Sequence, residues 1–98
     1  MAEVFETAAF SKWLKALRDP IGRRAVIRRI GRILATDSFG DHASVGDGVS
    51  ELRIDVGPGY RVYYTILEGR VVWLLGGGDK GSQDRDIKRA KELAAELE

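Results

Sequence analysis

The sequence predicts an α+β fold in one domain that spans residues 1–98. Apolar residues recur every three to four positions before residue 36 and again after residue 82, which is typical of amphipathic helices. Between residues 51 and 67 they alternate with polar residues instead, as in strands that bury one face. The chain is long enough for a single core but too short for a pocket between two lobes, so we expect an open surface site.

The N-terminal part is predicted to form a short strand and two helices. The strand covers Glu3–Thr7. The first helix runs from about Phe10 to Leu17 and is ended by Asp19 and Pro20. The proline suits the first turn of a second helix, from about Ile21 to Ala35. The apolar residues predicted to face the core from this second helix are Val26, Ile27, Ile30, Ile33 and Leu34.

Positive charge is concentrated in the same region. Residues 10–36 contain eight basic side chains against the single acid Asp19, although the whole chain has a net charge of only +1. Arg24, Arg28 and Arg32 recur every fourth residue, and like charges at that spacing cost a few tenths of a kcal/mol in an isolated helix. Two interpretations are open: a docking surface, with these arginines binding RNA or an acidic partner, or a merely solvated face.

Three antiparallel strands are predicted in the second half of the chain, joined by glycine-containing turns. The predicted strands are residues 51–56, 60–67 and 70–75. In the first of them, Leu52 and Ile54 point to one side and Arg53 points to the other. The last strand is a continuous apolar run, which predicts burial on both sides.

Two loops and a helix complete the predicted fold. Residues 36–48 are rich in Gly, Asp and Ser and are predicted to be a loop that contains the only histidine, His42. The segment GGGDKGSQ is predicted to be a second loop, and Gln83–Leu97 a C-terminal helix. A P-loop is rejected, because Lys80 lacks the required spacing and the following hydroxyl.

Composition excludes several kinds of site. The chain has no cysteine and one histidine, which rules out disulfides, thiolate nucleophiles, cysteine-ligated zinc and multi-histidine metal sites. We therefore expect no metal and no cofactor. The sequence shows neither a signal peptide nor a run of about 18 apolar residues, so we expect a cytoplasmic protein without membrane contact.

Three cations are the candidate catalytic residues. Arg53 and Arg61 are predicted on adjacent strands, on the less apolar side of the sheet, where two rigidly held guanidiniums form a preorganised phosphate binder. Lys80 arrives from the glycine-rich segment after the last strand. The alternative is that each arginine is paired structurally with a nearby carboxylate, which for Arg53 would be Glu51 or Asp55.

The chain resembles a known family. The block GVSELRIDVGPGYRVYY, followed by LLGGGDKGSQ and DIKRAKEL, is similar to the RelE/ParE toxin superfamily, specifically to the phage-related, HigB-like group often called addiction module killer proteins. The similarity extends back to FSKWLKALRDP, RIGRIL and FGDH, and so covers nearly the whole chain. The resemblance implies a RelE-like fold, in which a helical hairpin packs on a small twisted antiparallel sheet with a C-terminal helix at its edge.

The resemblance also implies a function. Proteins similar to RelE are toxins of type II toxin–antitoxin systems that cleave messenger RNA on the ribosome. A cognate antitoxin silences them; in the HigB-like group it typically carries a helix-turn-helix domain, and operator DNA is contacted only through it. ParE relatives share the fold but inhibit gyrase without hydrolysis, and an inactive co-repressor partner of the antitoxin is a third alternative.

Residue roles follow from the same resemblance. Arg61 matches the arginine of the family's YRxxY strand, which assigns it to the scissile phosphate. Arg53 is its neighbour, and Lys80 is the candidate for the leaving-group side. Tyr60 or Tyr63 would stack on an unpaired base of RNA, although packing is the commoner role of strand tyrosines.

The general base is open. RelE itself carries lysines on the matching strand, where this sequence has Glu51, Arg53 and Asp55. His42, Asp55 and Asp79 are all candidates. A missing strong base agrees with an enzyme that relies on charge stabilisation and on the ribosome to orient its substrate.

Overall fold

A computed structural model describes residues 2–97. The elements are, in chain order, β1 (Glu3–Glu6), α1 (Ala8–Ala16), α2 (Pro20–Thr36), β2 (His42–Gly46), β3 (Val49–Ile54), β4 (Tyr60–Leu67), β5 (Val71–Asp79), a 3-10 turn (Lys80–Ser82) and α3 (Gln83–Glu96).

The five strands form one mixed sheet in the order β1-β5-β4-β3-β2. β3, β4 and β5 are antiparallel neighbours, as predicted, and β2 adds another antiparallel strand beside β3. β1 pairs with β5 in parallel, so the sheet is not purely antiparallel. The chain between β1 and β5 passes through both N-terminal helices and three strands, which is long enough to allow parallel pairing. The α+β class is confirmed.

Helices cover both faces of the sheet. α1 and α2 pack on one side, called the hairpin face, and α3 packs on the other, called the α3 face. The core of the hairpin face consists of Phe10, Val26, Ile33, Leu52, Ile54, Tyr60, Val62, Tyr64, Val72 and Leu74. The smaller core of the α3 face consists of Val49, Tyr63, Leu75, Ala90 and Ala94.

The predicted loop at residues 36–48 contains a strand. β2 pairs with β3 in antiparallel register, with Ala43 opposite Glu51. Ala43 and Val45 alternate with polar residues and are half-buried, but this pattern is too short to stand out in a segment rich in Gly, Asp and Ser. Backbone pairing with β3 forms this edge strand, and Val45 packs against the core of the α3 face.

β5 continues through glycines 76–78, which were predicted to lie in a loop. Glycine is usually unfavourable inside a strand. Here side chains from the helices press against the backbone: a Cβ on Gly77 would overlap the ring of Trp13, and one on Gly78 would overlap the carboxylate of Asp86. The packing of α1 and α3 therefore requires residues without a side chain at these positions.

The buried side of α2 differs from the predicted stripe. Val26 and Ile33 are fully buried, whereas Ile27 and Leu34 are 50% and 52% exposed. Gly22 lies on the buried side instead. Aliphatic residues occupy more than one side of this helix, so spacing alone could not decide which of them face the sheet.

Asp19 ties the start of α2 to β4. Its carboxylate accepts hydrogen bonds from the backbone N–H of Ile21 at 3.1 Å and from the hydroxyl of Tyr60 at 2.9 Å. A backbone hydrogen bond from Gly22, followed by the one from Tyr60, holds the pKa of Asp19 below its ordinary value. This N-cap thus fixes the helix relative to the first residue of β4.

Arg29 anchors α2 to the chain beside it. Its guanidinium donates to the backbone carbonyls of Arg53 at 2.5 Å, Phe39 at 2.7 Å and Asp41 at 2.8 Å. Burial lowers the pKa of Arg29, and the nearby charge of Arg32 lowers it further. A single planar fork therefore satisfies three carbonyls at once, which an ammonium group cannot match in geometry.

Replacing Arg29 by lysine keeps the charge and removes this fork. We expect Arg29→Lys to lower the free energy of unfolding by about 2 kcal/mol, because hydrogen bonds to charged groups contribute about 1.5–3 kcal/mol. Urea unfolding followed by circular dichroism measures the change. The exposed Arg28→Lys is the control and should stay within about 0.5 kcal/mol of the wild type. Equal unfolding midpoints for the two variants would contradict the anchoring role.

A pair of glycine substitutions tests the packing of α1 on β5. Gly77→Ala should destabilise the fold by about 1–3 kcal/mol, because the new methyl group must displace the ring of Trp13. Gly76→Ala meets nothing within 4 Å and should be neutral or slightly stabilising. Thermal unfolding of both variants distinguishes a local collision from a general intolerance of alanine in this strand.

Candidate phosphate-binding site

Arg53 and Arg61 lie opposite each other on β3 and β4. The residues on either side of each arginine, such as Leu52 and Val62, belong to the core of the hairpin face. Both arginine side chains therefore project toward the α3 face. The Cα atoms of such paired residues are about 4.5–5.5 Å apart. The structure brings the two arginines together on one side of the sheet.

Glu51 neutralises part of this positive charge. Its Oε2 atom lies 2.8 Å from Nε of Arg53 and 3.7 Å from Nε of Arg61. The hydrogen bond with Glu51 raises the pKa of Arg53. The structural pairing that the sequence left open is thus present. One carboxylate is shared by two guanidiniums, however, so the trio keeps a surplus of one positive charge.

The two arginines differ in their access to solvent. The side chain of Arg53 is 45% exposed and that of Arg61 is 10% exposed, while Glu51 is buried. An anion that approaches the α3 face would therefore meet Arg53 directly. Arg61 lies deeper and is held in place, since its Nη1 donates to the carbonyl of Tyr60 at 3.2 Å.

Beneath Arg53 the core contains unsatisfied polar atoms. Glu51 Oε1, Arg61 Nε and the hydroxyl of Tyr63 are buried and have no hydrogen-bond partner among residues 2–97. Glu51 and Tyr63 are partners in the β3–β4 register, so these atoms belong to adjacent side chains. Each unsatisfied group costs about 1–3 kcal/mol. Such groups are uncommon in native cores. Three of the four buried unsatisfied side-chain atoms among residues 2–97 belong to this cluster, and the fourth is Nε of Arg29.

The two tyrosines predicted to stack on RNA lie in the core. Tyr63 is fully buried and Tyr60 is 6% exposed, so neither presents a ring face to a base. Burial, followed by the charges of Glu51 and Asp86, raises the pKa of Tyr63 to about 12. Burial and then the hydrogen bond to Asp19 raise the pKa of Tyr60. The packing role typical of strand tyrosines is the one that the structure shows.

Lys80 stands at the end of β5, beside the start of β4. Its backbone N–H donates to the carbonyl of Gly59 at 3.1 Å. Its methylene groups pack over Gly59, where a Cβ would come within 3.0–3.2 Å of them. Gly59 also has φ +82, so no other residue fits this contact without strain. The exposed Lys80 is thereby held next to the strand that carries Arg61.

Arg24, Arg28 and Arg32 do not join this site. α2 packs on the hairpin face, whereas Arg53 and Arg61 project toward the α3 face, so the sheet separates the two groups. Arg24, Arg28 and Arg32 are all exposed. The cations predicted to bind RNA therefore form two separate positive surfaces.

The three candidate bases occupy different positions. His42 packs against Phe39, which is half-buried against the core of the hairpin face, with ring centroids 5.9 Å apart. Asp79 caps the 3-10 turn by accepting a hydrogen bond from a backbone N–H at 2.8 Å. Asp55 is exposed and follows β3 directly, two residues beyond Arg53.

A cleft of about 340 Å³ opens along the edge of β5 that β1 does not cover. Its lining includes glycines 76–78, Trp13, Ser82, Asp86 and Arg89. The hydroxyl of Ser82 donates to Asp86 at 2.5 Å, and the Asp86 carboxylate lies over Gly78, the register partner of Arg61. Sequence reasoning missed Asp86, because it shows there only as one of several polar residues at the start of a helix.

One relative supports a family assignment. An uncharacterized protein of Haemophilus influenzae (strain ATCC 51907 / DSM 11121 / KW20 / Rd) is 48% identical over 95 residues, which cover 97% of this chain and 95% of the relative. The chain belongs to the same family as this protein. The similarity extends across the helices and the sheet alike. No family model matches the sequence.

Among residues 2–97, no group of three or more His, Cys, Asp or Glu side chains is arranged to hold a metal ion. In the same part of the chain, no helix has the length and apolar character needed to cross a bilayer.

The buried hydroxyl of Tyr63 predicts a loss of stability at alkaline pH. Its pKa is about 12 in the folded state against 10.0 for an ordinary tyrosine, so the folded state holds the proton more tightly. This contribution is complete below pH 10 and is lost as the pH rises toward 12. Urea unfolding at a series of pH values measures it.

Variants at the two adjacent tyrosines separate this effect from general alkaline unfolding. Tyr63→Phe should lose stability less steeply than the wild type between pH 10 and 12, and its highest tyrosinate transition should disappear. Tyr64→Phe leaves Tyr63 in place and should keep that transition. Parallel stability curves for the wild type and Tyr63→Phe would show that the buried hydroxyl is not the group responsible.

Proposed function

We propose that this protein is a metal-independent, ribosome-dependent mRNA endoribonuclease, the toxin of a type II toxin–antitoxin system of the RelE/ParE superfamily. The single observation that supports this most is the trio of Arg53, Arg61 and Glu51 on the α3 face, with its surplus of positive charge. The resemblance of the sequence to HigB-like toxins supports the same function.

Two guanidiniums on paired strands suit a phosphodiester. Arg53 is exposed enough to bind a phosphate oxygen directly, and Arg61 supports it from within the sheet. Rigid donors that are in place before the reaction stabilise the charge of the pentacoordinate phosphorane without reorganisation. Removal of such a donor typically costs about 100-fold or more in rate.

Asp55 and Lys80 complete the proposed reaction centre. Of the three candidate bases, Asp55 fits best, because it is exposed and follows Arg53 by two residues, whereas His42 packs toward the hairpin face and Asp79 is engaged in a cap. Asp55 accepts the proton of the ribose 2′-OH, and the 2′-oxygen forms a bond to phosphorus. The bond from phosphorus to the 5′-oxygen breaks, and Lys80 stabilises or protonates that oxygen.

The open surface also agrees with dependence on the ribosome. An exposed carboxylate is a weak base for a hydroxyl, so alignment of the RNA must supply much of the rate. The structure offers no stacking tyrosine to align a single strand, since both candidates are buried. Orientation by the ribosome would replace that missing contact.

The proposed function also includes its partners. The toxin would act in the cytoplasm on translated messages and be silenced by a cognate antitoxin. That antitoxin would carry a helix-turn-helix domain, and operator DNA would be contacted only through it. A short helix-turn-helix protein in the adjacent reading frame would agree with this context.

Transcript mapping tests the reaction. On induction of the wild type, we expect new 5′ ends within translated regions. Arg53→Gln and Lys80→Ala should reduce their number by about 100-fold, because each removes a cation from the transition state. Both side chains are exposed, so these variants should fold. Arg70→Gln, an exposed surface arginine paired with Glu3, is the matched control and should cleave normally.

Other outcomes point to the alternatives. DNA breaks with intact transcripts, unchanged by Arg53→Gln, would favour a ParE-like gyrase inhibitor. Absence of any growth defect in the wild type would favour an inactive co-repressor. Arg61→Lys provides a second check, since it keeps the buried charge opposite Glu51 but removes the planar fork.

A further inference from the structure

The cleft beside β5 exposes a backbone donor and acceptor at Gly77. Lys80 donates its backbone N–H to the carbonyl of Gly59 at 3.1 Å, and this bond shows which residue pairs of β4 and β5 are hydrogen-bonded. Bonded and non-bonded pairs alternate in an antiparallel ladder, so Gly76 and Gly78 bond to β4 and Gly77 does not. The N–H and C=O of Gly77 therefore both point away from β4, into the cleft that Gly77 lines.

No other backbone group among residues 2–97 reaches these two groups of Gly77. β1 pairs with β5 only as far as Leu74. Thr7 occupies the free edge on one side of Gly77, because its N–H and its hydroxyl both donate to the carbonyl of Leu74. Ser82 occupies the edge on the other side, with its hydroxyl 3.5 Å from the backbone nitrogen and oxygen of Asp79. One donor and one acceptor are too few for an added peptide strand, which binds by main-chain hydrogen bonds along its length.

α1 and α3 form the two walls of the cleft. From α1, the indole of Trp13 lies against Gly77, where a Cβ would overlap the ring. From α3, Ala90 and the carboxylate of Asp86 line the opposite side. A flat ring hydrogen-bonded to Gly77 in the plane of the sheet would therefore have one helix on each face. The cleft volume of about 340 Å³ lies within the range of about 300–1,000 Å³ that is typical of small-molecule sites.

The polar groups of the cleft select a nucleobase with an exocyclic amino group. The N–H and C=O of Gly77 present a donor and an acceptor side by side, the combination with which Asn and Gln side chains bind adenine. Asp86 adds a second acceptor, because its carboxylate lies over Gly78 and its side chain is only 10% exposed. An amino group can donate to both acceptors, whereas uracil would turn a carbonyl oxygen toward the carboxylate.

Two arginines stand at the opening of the cleft. Arg85 and Arg89 are exposed, line the cleft and lie four residues apart, on one side of α3. Nε of Arg85 lies 3.7 Å from the carboxylate of Asp86, so Arg89 supplies the surplus positive charge. Guanidiniums bind phosphate through a planar fork of donors. A nucleotide whose base lies against Gly77 would therefore direct its phosphate to Arg89.

We propose that the cleft between α1 and α3 is an adenine-nucleotide site. The edge of the adenine binds the N–H and C=O of Gly77, and its amino group also donates to Asp86. The ring lies between the two helices, and the phosphate binds Arg89. A free nucleotide and an unpaired adenine of single-stranded RNA present the same chemistry. The site lies on β5, which β4 separates from the strand that carries Arg53, so nucleotide binding does not depend on RNA cleavage.

Amide NMR of the full chain during titration with AMP tests the site. The amide of Gly77 should shift and its hydrogen exchange should slow, because the base accepts a hydrogen bond from a donor that is free without ligand. Gly76 is the internal control, since its N–H is already bonded to β4 and its exchange should stay slow. UMP should bind about tenfold more weakly than AMP, because it lacks the amino group.

Matched variants separate the base from the phosphate. Arg89→Gln should weaken AMP binding about fivefold at low salt and leave adenosine binding unchanged. Lys88→Gln is the control, because Lys88 is an exposed cation of the same helix that does not line the cleft. Asp86→Asn keeps the shape of the side chain and should reduce the preference for AMP over UMP about tenfold. Arg53→Gln should leave AMP binding unchanged, whether or not the protein cleaves RNA.

A short oligouridylate that contains one adenine distinguishes the two sources of the base. Displacement of AMP by this oligonucleotide, with a shift of the Gly77 amide, would assign the site to single-stranded RNA. AMP that stays bound in its presence would assign the site to a free nucleotide. Both results support an adenine site.

Three results would overturn the proposal. A Gly77 amide that responds neither to millimolar AMP nor to the oligonucleotide would show that the cleft holds no base. Equal affinities for AMP and UMP, unchanged by Asp86→Asn, would reduce the contact to phosphate alone. Equal losses in Arg89→Gln and Lys88→Gln would indicate a general attraction of anions to α3. The amide spectrum of each variant shows in the same experiment whether it is folded, and the exposed Arg89 keeps the test decisive if Asp86→Asn is not.

Discussion

The register between β3 and β4 is the constraint on which the rest of this structure depends. It places Leu52 opposite Val62 in the core of the hairpin face and Arg53 opposite Arg61 on the α3 face. A shift by one residue would turn every side chain of β3 to the other face and put Arg53 into the apolar core. The packing of α1 and α2 on the hairpin face therefore also determines that Arg53 and Arg61 lie on the α3 face.

Glu51 links the two arginines that this register places opposite each other. It is buried opposite Tyr63 and takes part in ion pairs with both arginines. A lone buried carboxylate would be strongly unfavourable, and a carboxylate paired with a single arginine would leave that pair without net charge. Sharing one carboxylate between two guanidiniums avoids both extremes. Its own Oε1 and the Tyr63 hydroxyl lie buried there without a hydrogen-bond partner among residues 2–97.

The arginines of this protein divide into three physical roles. Arg29 is structural, because it holds backbone carbonyls of the neighbouring loop and strand. Arg53 and Arg61 belong to the α3 face and lie with Glu51. Those on the outer side of α2, Arg24 and Arg28 among them, face solvent beside exposed aliphatic residues. The basic run in the sequence therefore does not represent one positive face.

The sequence by itself determined the helices, the three antiparallel strands and the side of the sheet from which Arg53 and Arg61 project. These features depend on local periodicity, which a single chain displays directly. It did not reveal β2, because two apolar residues, Ala43 and Val45, are too short a pattern and the strand forms by pairing with β3, a distant segment. It could not show that β5 extends into glycines 76–78, because these residues are strand only through their pairing with β4.

Only the tertiary structure decided how buried each candidate residue is and which side chains it is paired with. Spacing shows that Arg53 and Glu51 are neighbours on one side of a strand, but not that Glu51 also reaches Arg61. Only the packed fold shows that Tyr63 is inaccessible and that Ile27 is not. Burial and pairing arise from contacts between segments distant in sequence, whereas periodicity reports only which side of its own element a residue occupies.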